Sequence, residues 1–188
     1  MTQFGFYFDQ TRCIGCHTCA IACKDWNDID TGPVNWMRVD EILEGKFPNL
    51  KMVYLSIACN HCFDPPCIKV CPTKAITKTK SNGIVLVNQK DCIGYQTCGA
   101  KCLKACPWDA PQFADLKMAK MQKCNLCYDR LENKQQTICV EACPMYAIDV
   151  GPIEKLKEKY KYTNEAEGFI YNKRIKPSII FNPKIISK

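Results

Sequence analysis

The chain has 188 residues, 47% of them apolar, and a formal net charge of +7 at pH 7. This length suits one large domain or two small ones. No stretch reaches the roughly 18 consecutive apolar residues of a membrane span, and the N-terminus lacks the basic and apolar regions of a signal peptide. We therefore expect no direct membrane span and no export signal of the chain's own.

Cysteine dominates the composition, with 16 residues in the chain. Such a content is typical of either a disulfide scaffold or a metal-rich protein. Disulfides are rare in a reducing cytosol, so metal binding is the favoured interpretation and disulfides are the weaker alternative.

The first predicted strand leads into the first cysteine group. Phe4, Phe6 and Phe8 alternate with other residues, which is the period of a strand. The group that follows reads CxxCxxCxxxC, the spacing of a bacterial-type iron–sulfur site. Its members are Cys13, Cys16, Cys19 and Cys23.

The second group follows the apolar run VYLSIAC and reads CxxCxxxxCxxxCP. The next run, TKAIT, is β-prone, and Asn82-Gly83 after it is a typical hairpin turn. This region therefore predicts a strand before the group and a hairpin after it. The members of the group are Cys59, Cys62, Cys67 and Cys71.

The third group has an irregular spacing. Counted from its start, Tyr95 takes the place of the second cysteine; counted from its end, Cys106-Pro107 matches the Cys-Pro ends of other groups. The second register uses all four cysteines, at CxxxxxCxxxCxxxCP, and we favour it. It predicts a rebuilt metal site, whereas a ligand that failed to reach would leave a three-iron cluster. The members are Cys92, Cys98, Cys102 and Cys106.

The fourth group has a longer loop between its two pairs and again ends in Cys-Pro. The β-prone run MYAID follows it, as TKAIT follows the second group. Its members are Cys124, Cys127, Cys139 and Cys143.

The character of the sequence changes after residue 150. Ile153, Leu156 and Tyr160 fall on one face of a short amphipathic helix, and an apolar extended arm, KPSIIFNPKIISK, follows. We predict a cluster-binding domain over residues 1–150 and an extension over residues 151–188. The arm either wraps on its own domain or, as we favour, docks on a larger subunit, because an exposed apolar tail invites aggregation.

Cysteine loop, short helix, strand and hairpin recur along the chain. This order predicts an α+β fold of two ferredoxin-like units around iron–sulfur clusters, which supply much of the core. Zinc is the rival metal, but a zinc site seldom needs a third thiolate at this spacing followed by proline. His17 and His61 each adjoin a cysteine, and since sixteen cysteines fill four sites we expect neither to bind iron.

The cysteine groups resemble a known family. GFYFDQTRCIGCHTCAIACKDWND, CNHCFDPPCIKVCPTKAI, CPWDAPQF and the segment around the fourth group are similar to the iron–sulfur subunit of the dimethyl sulfoxide reductase family of molybdenum or tungsten bis-pterin enzymes. The resemblance covers roughly residues 4–158. It departs in the third group, where family members usually carry CxxCxxCxxxCP and this chain has Tyr95.

The resemblance implies that the groups exchange their last cysteines, the first with the fourth and the second with the third. Four quartets of ligands then hold four [4Fe-4S] clusters, with a [3Fe-4S] cluster as the alternative in quartet 4. Quartet 1 is Cys13, Cys16, Cys19 and Cys143. Quartet 2 is Cys124, Cys127, Cys139 and Cys23. Quartet 3 is Cys59, Cys62, Cys67 and Cys106. Quartet 4 is Cys92, Cys98, Cys102 and Cys71.

The resemblance also implies a function, the relay of electrons between a large molybdenum or tungsten bis-pterin subunit and a redox partner, either a membrane anchor or a soluble carrier. The family places quartet 4 at the end away from the pterin. We find no nucleophile with a base, no phosphate loop and no paired acids, so we expect no catalysis by this chain. The alternatives are a free polyferredoxin or a zinc-binding interaction module. Both sides of the membrane stay open, since such subunits are often exported with a partner.

The net charge fits this interpretation. An oxidised four-iron cluster with four thiolates carries about −2, so four of them bring the formal +7 to about −1. The basic residues are then counter-charges, and we expect no nucleic-acid partner.

Overall fold

The computed structural model describes residues 2–184 and has a mixed α/β architecture of short strands and helices, consistent with ferredoxin-like 4Fe-4S domains. The first half holds β1 (Phe4–Asp9), α1 (Thr18–Trp26), β2 (Arg38–Glu44), β3 (Lys51–Ile57), α2 (Pro66–Val70), β4 (Ile76–Lys78) and β5 (Val85–Val87). The second half holds α3 (Tyr95–Cys98), α4 (Lys101–Lys104), α5 (Tyr128–Glu132), α6 (Ile138–Glu141), β6 (Ile148–Pro152), α7 (Ile153–Lys159) and β7 (Ile179–Asn182).

A three-stranded sheet in the order β6-β1-β7 joins the two ends of the chain. The expected strand at Phe4, Phe6 and Phe8 is confirmed as β1, which pairs antiparallel with β6 and parallel with β7. β6 crosses the predicted boundary at residue 150, so the sheet continues into the extension.

The expectation that the C-terminal arm docks on another subunit is wrong for its described part. Ile179, Ile180 and Phe181 are each at most 3% exposed, because β7 covers the open edge of β1 and turns its side chains into the core. Residues 185–188, the end of the predicted arm, lie outside the described residues.

Two hairpins complete the strands. The hairpin expected at Asn82-Gly83 is confirmed: β4 and β5 pair antiparallel, and Gly83 has the positive φ, 70°, that such a turn favours. The run VYLSIAC is confirmed as β3, but its partner β2 was not predicted. Its sequence, RVDEILE, is largely exposed and shows no clear alternation of apolar residues.

The short amphipathic helix is confirmed as α7, with Ile153 and Leu156 buried. Tyr160, just beyond its end, stacks on Tyr7 of β1 with ring centroids 3.7 Å apart. Within residues 2–184, no helix is long and apolar enough to cross a membrane.

The core mixes apolar side chains with cysteines. The largest cluster of buried residues contains aromatic side chains of β1 and β7 beside cysteines of the first, second and fourth groups. A second, smaller cluster surrounds cysteines of the second and third groups. The strands are too short to bury much surface alone, so the cysteine loops form part of the interior.

Candidate metal centres

All sixteen cysteines have free thiols in the structure, so the disulfide alternative is wrong. They lie at the ends of short helices or in the loops before them. The structure brings together cysteines that are far apart in sequence, and it does so in four places.

Quartet 1 lines a cavity of about 320 Å³ together with Ile14, His17 and Met145. Cys143 reaches it from the loop after α6, and its Sγ accepts the backbone N–H of Ala147 at 3.3 Å. The structure thus places the last cysteine of the fourth group beside the first three of the first group.

Quartet 4 lines a similar cavity of about 350 Å³. Cys71 arrives from the end of α2, while the other three members come from the third group. The Sγ of Cys92 accepts the backbone N–H of Met121 at 3.5 Å.

Tyr95 does not line the cavity of quartet 4. Its ring is 46% exposed and packs edge-on against Phe113 with centroids 5.3 Å apart, and its backbone N–H is donated to Ala119. Cys98, at the end of α3, takes the place on the cavity instead. Gly99 and Ala100 then adopt left-handed conformations that redirect the chain into α4.

Quartet 2 is buried throughout. Helix α1, which ends shortly after Cys23, packs against α6, which carries Cys139. Burial, followed by the neighbouring Cys127, raises the pKa of the Cys23 thiol to about 12. The Sγ of Cys124 accepts the backbone N–H of Leu126 at 3.3 Å.

Quartet 3 is assembled by packing of α2 on α4. Cys106 follows α4 and interacts electrostatically with Cys62 and Cys67 of the second group. Burial raises the pKa of Cys67 to about 12, and the positive charge of Lys123 opposes that rise. Lys123 is therefore within electrostatic reach of this quartet.

The four sites fit iron–sulfur clusters by their chemistry. Each presents four thiols, and backbone N–H groups point at sulfurs in three of them, as expected for thiolates that carry negative charge. Thiols with raised pKa values become thiolates only when a cation compensates their charge. In the part of the chain that the structure describes, no three His, Cys, Asp or Glu side chains converge closely enough to hold a single metal ion.

The sequence did not reveal two buried polar side chains near these sites, Lys123 and His61. A lysine is ordinarily solvated, and nothing in its spacing marks it as buried. His61 adjoins Cys62, but only the structure shows that its Nδ1 accepts the backbone N–H of Val85 at 3.0 Å.

Comparison with known proteins agrees with the geometry. Residues 50–153 match the family described as 4Fe-4S dicluster domain, and residues 12–75 match a second family of the same description. The chain is 46% identical to the iron–sulfur subunit of the anaerobic dimethyl sulfoxide reductase of Haemophilus influenzae, over 85% of this chain and 79% of that protein. The same-named subunit of Escherichia coli is 40% identical over 100% and 92%, and a subunit of the sulfite dehydrogenase of Allochromatium vinosum is 37% identical over 81% and 70%.

Proposed function

We propose, from the premise that this protein belongs to the family of 4Fe-4S dicluster subunits of dimethyl sulfoxide reductases, that it serves a molybdenum or tungsten bis-pterin catalytic subunit. The chain carries four 4Fe-4S clusters and transfers electrons, as a subunit of an oxidoreductase complex. The bis-pterin partner, the absence of catalysis by this chain itself and the ligand sets below are the proposal.

Each of the four quartets holds one cluster. The single observation that carries this assignment is the exchange of last cysteines: Cys143 shares a cavity with the first group and Cys71 shares one with the third. Quartets 1 and 2 then form one ferredoxin-like unit and quartets 3 and 4 the other, all within residues 1–150. A bound cluster supplies one-electron redox chemistry, and the chain supplies the ligands and the insulation around them.

The helices set the order of the four sites. Cys19 and Cys23 are four residues apart on α1, about 6 Å along the axis, so α1 joins quartets 1 and 2. Cys67 on α2 and Cys71 at its end join quartets 3 and 4 in the same way. Between these pairs, Cys124 of quartet 2 interacts electrostatically with Cys59 of quartet 3. This gives a linear order from quartet 1 to quartet 4.

Exposure of the ligands agrees with a relay that has two ends. Quartet 2 is fully buried, and quartet 3 has only Cys106 partly exposed. Quartet 1 includes the exposed Cys16, and quartet 4 has three partly exposed members. Electrons can therefore enter and leave at the outer quartets, while the two inner ones are protected from solvent.

Exposed apolar side chains surround both ends, which is typical of docking surfaces. We call Ile14, Ile21, Met145 and Tyr146 the quartet 1 face, and Ile93, Tyr95, Leu116 and Met118 the quartet 4 face. The quartet 1 face receives the catalytic subunit. The quartet 4 face receives the second redox partner, a membrane anchor or a soluble carrier.

Iron and acid-labile sulfide per chain, with electron paramagnetic resonance of oxidised and reduced states, test the ligand sets. We expect about 16 irons in anaerobically purified protein and no three-iron signal on oxidation. About 15 irons with a three-iron signal would show that quartet 4 holds a [3Fe-4S] cluster, and zinc in place of iron would refute the proposal.

A pair of matched variants tests the partner assignment. Ile21→Lys and Leu116→Lys each place a charge on one exposed apolar site, 67% and 72% exposed. When a catalytic subunit is expressed with the chain, Ile21→Lys should abolish its co-purification and Leu116→Lys should not. The reverse result would exchange the two ends, and co-purification with neither variant impaired would favour a free polyferredoxin.

A further inference from the structure

Lys123 is a buried cation that has no carboxylate partner in the described structure. The residue is 1% exposed, and its Nζ donates to the carbonyl oxygens of Val85 and, at 2.9 Å, of Cys124. Within residues 2–184 it forms no ion pair with Asp or Glu. Carbonyl dipoles alone do not offset the cost of removing an ammonium group from water.

The position of Lys123 identifies the anions that could compensate it. It directly precedes Cys124 of quartet 2, and its charge acts on Cys67 of quartet 3. Cys124 in turn interacts with Cys59 of quartet 3. The ammonium group therefore lies where the two inner quartets approach each other, beside two sites that each carry about −2 when loaded.

His61 does not supply a second positive charge at this place. Its Nδ1 accepts the backbone N–H of Val85, so the ring is the neutral tautomer with its hydrogen on Nε2. Val85 thus holds both side chains, His61 through its N–H and Lys123 through its C=O. This backbone clamp fixes the ammonium group at the junction of the quartets.

We propose that Lys123 is the shared counter-charge of quartets 2 and 3 and raises the reduction potentials of both clusters held there. The inference rests on the ligand sets proposed above. Uptake of one electron makes either site one unit more negative without transfer of an atom, so a fixed cation stabilises the reduced state more than the oxidised state. Two inner sites that share one cation are then tuned together.

The test is potentiometric electron paramagnetic resonance on the chain co-expressed with its catalytic subunit. Lys123→Met and Lys123→Gln remove the charge, and Gln keeps hydrogen-bond donors. Two of the four potentials should fall so that the reduced-to-oxidised ratio at a fixed potential drops at least tenfold, which is about 59 mV for a one-electron couple. Lys123→Arg should keep the wild-type potentials.

Lys134→Met is the matched control, because it removes the same charge from an exposed residue. All four of its potentials should stay at their wild-type values. The proposal is overturned if neither Lys123→Met nor Lys123→Gln shifts a potential, if only one potential moves, if Lys134→Met produces the same shift, or if Lys123→Gln behaves as wild type, since hydrogen bonding would then explain the effect.

Two further outcomes are decisive. If Met and Gln both lose iron while Arg retains it, the charge is needed to hold the clusters, which supports the proposal. Loss of iron from Arg as well would show a requirement for shape and overturn it. A wild-type chain without iron would refute the ligand sets themselves, so failure of the proposed function is distinguishable from failure of this inference.

Discussion

Phe8 of β1 lies beside Phe181 of β7 in a parallel strand pair, and the two side chains are 1% and 0% exposed. Phe181 also contacts Phe169, with ring centroids 4.8 Å apart, and Phe169 stacks on Trp108. Trp108 stands two residues after Cys106 of quartet 3. The C-terminal strand therefore supports the packing behind an inner metal site as well as the central sheet.

Phe181→Ala should destabilise the folded chain by about 3–5 kcal/mol, because it leaves a cavity among buried aromatic rings. The measurement is the temperature at which the iron–sulfur absorbance bleaches under anaerobic heating. Phe47→Ala is the control: Phe47 is 94% exposed, so its change should stay within about 0.5 kcal/mol. Equal effects of the two variants would contradict the role assigned to β7.

Cys98→Ser should lower the iron content of quartet 4 and produce a three-iron signal on oxidation, because the cavity loses one of its four sulfurs. Adding Tyr95→Cys to this variant should not restore the fourth iron, since the Tyr95 side chain packs on Phe113 away from the cavity. Iron analysis and electron paramagnetic resonance measure both effects.

Tyr95→Phe serves as the control for that pair and should leave the spectrum unchanged. Recovery of a four-iron cluster in the double variant would show that the loop can adopt the other register of the third group. The interpretation of a rebuilt site would then be wrong.

The sequence predicted the elements whose signals are local. Alternation of Phe4, Phe6 and Phe8, the Asn82-Gly83 turn and the apolar stripe of α7 each identify their element within a few residues. The cysteine spacing likewise identified four groups and the metal class, since the spacing reflects how a short loop surrounds a cluster.

The sequence could not show what depends on contacts between distant residues. The arm at Ile179 has the same apolar character whether it pairs with β1 or with another protein. Strand β2 is held by its partner β3 rather than by its own pattern. Lys123 is buried because three separate segments meet around it, and no local feature of the sequence records this.

Arg130 should matter more than the carboxylate that it contacts. The guanidinium is buried, lies 4.4 Å from the Trp26 ring centroid, donates to Gln136 and pairs with Glu141 at 2.5 Å. Arg130→Leu should cost about 1–3 kcal/mol, because it leaves the Gln136 carbonyl unpaired and removes the contact with Trp26.

Glu141→Gln is the comparison for Arg130 and should cost only about 0.2–1 kcal/mol, because the carboxylate is 47% exposed and solvent screens the pair. Bleaching temperatures of the two variants provide the measurement. A larger loss for Glu141→Gln than for Arg130→Leu would mean that the ion pair, rather than the stacking and the hydrogen bond, holds α5 against α1 and α6.

Loss of an inner cluster should unfold more of the chain than loss of an outer one. Cys139 of quartet 2 is buried within the main core, whereas Cys16 of quartet 1 is exposed at the surface. Cys139→Ser should therefore abolish stable folding of the chain, while Cys16→Ser should leave the other three sites loaded, since metal ligation contributes directly to folding free energy. Far-ultraviolet circular dichroism, protease resistance and iron content of the two variants measure this difference. If both variants kept the same secondary structure after loss of iron, the apolar core alone would hold the fold and the clusters would contribute little to its stability.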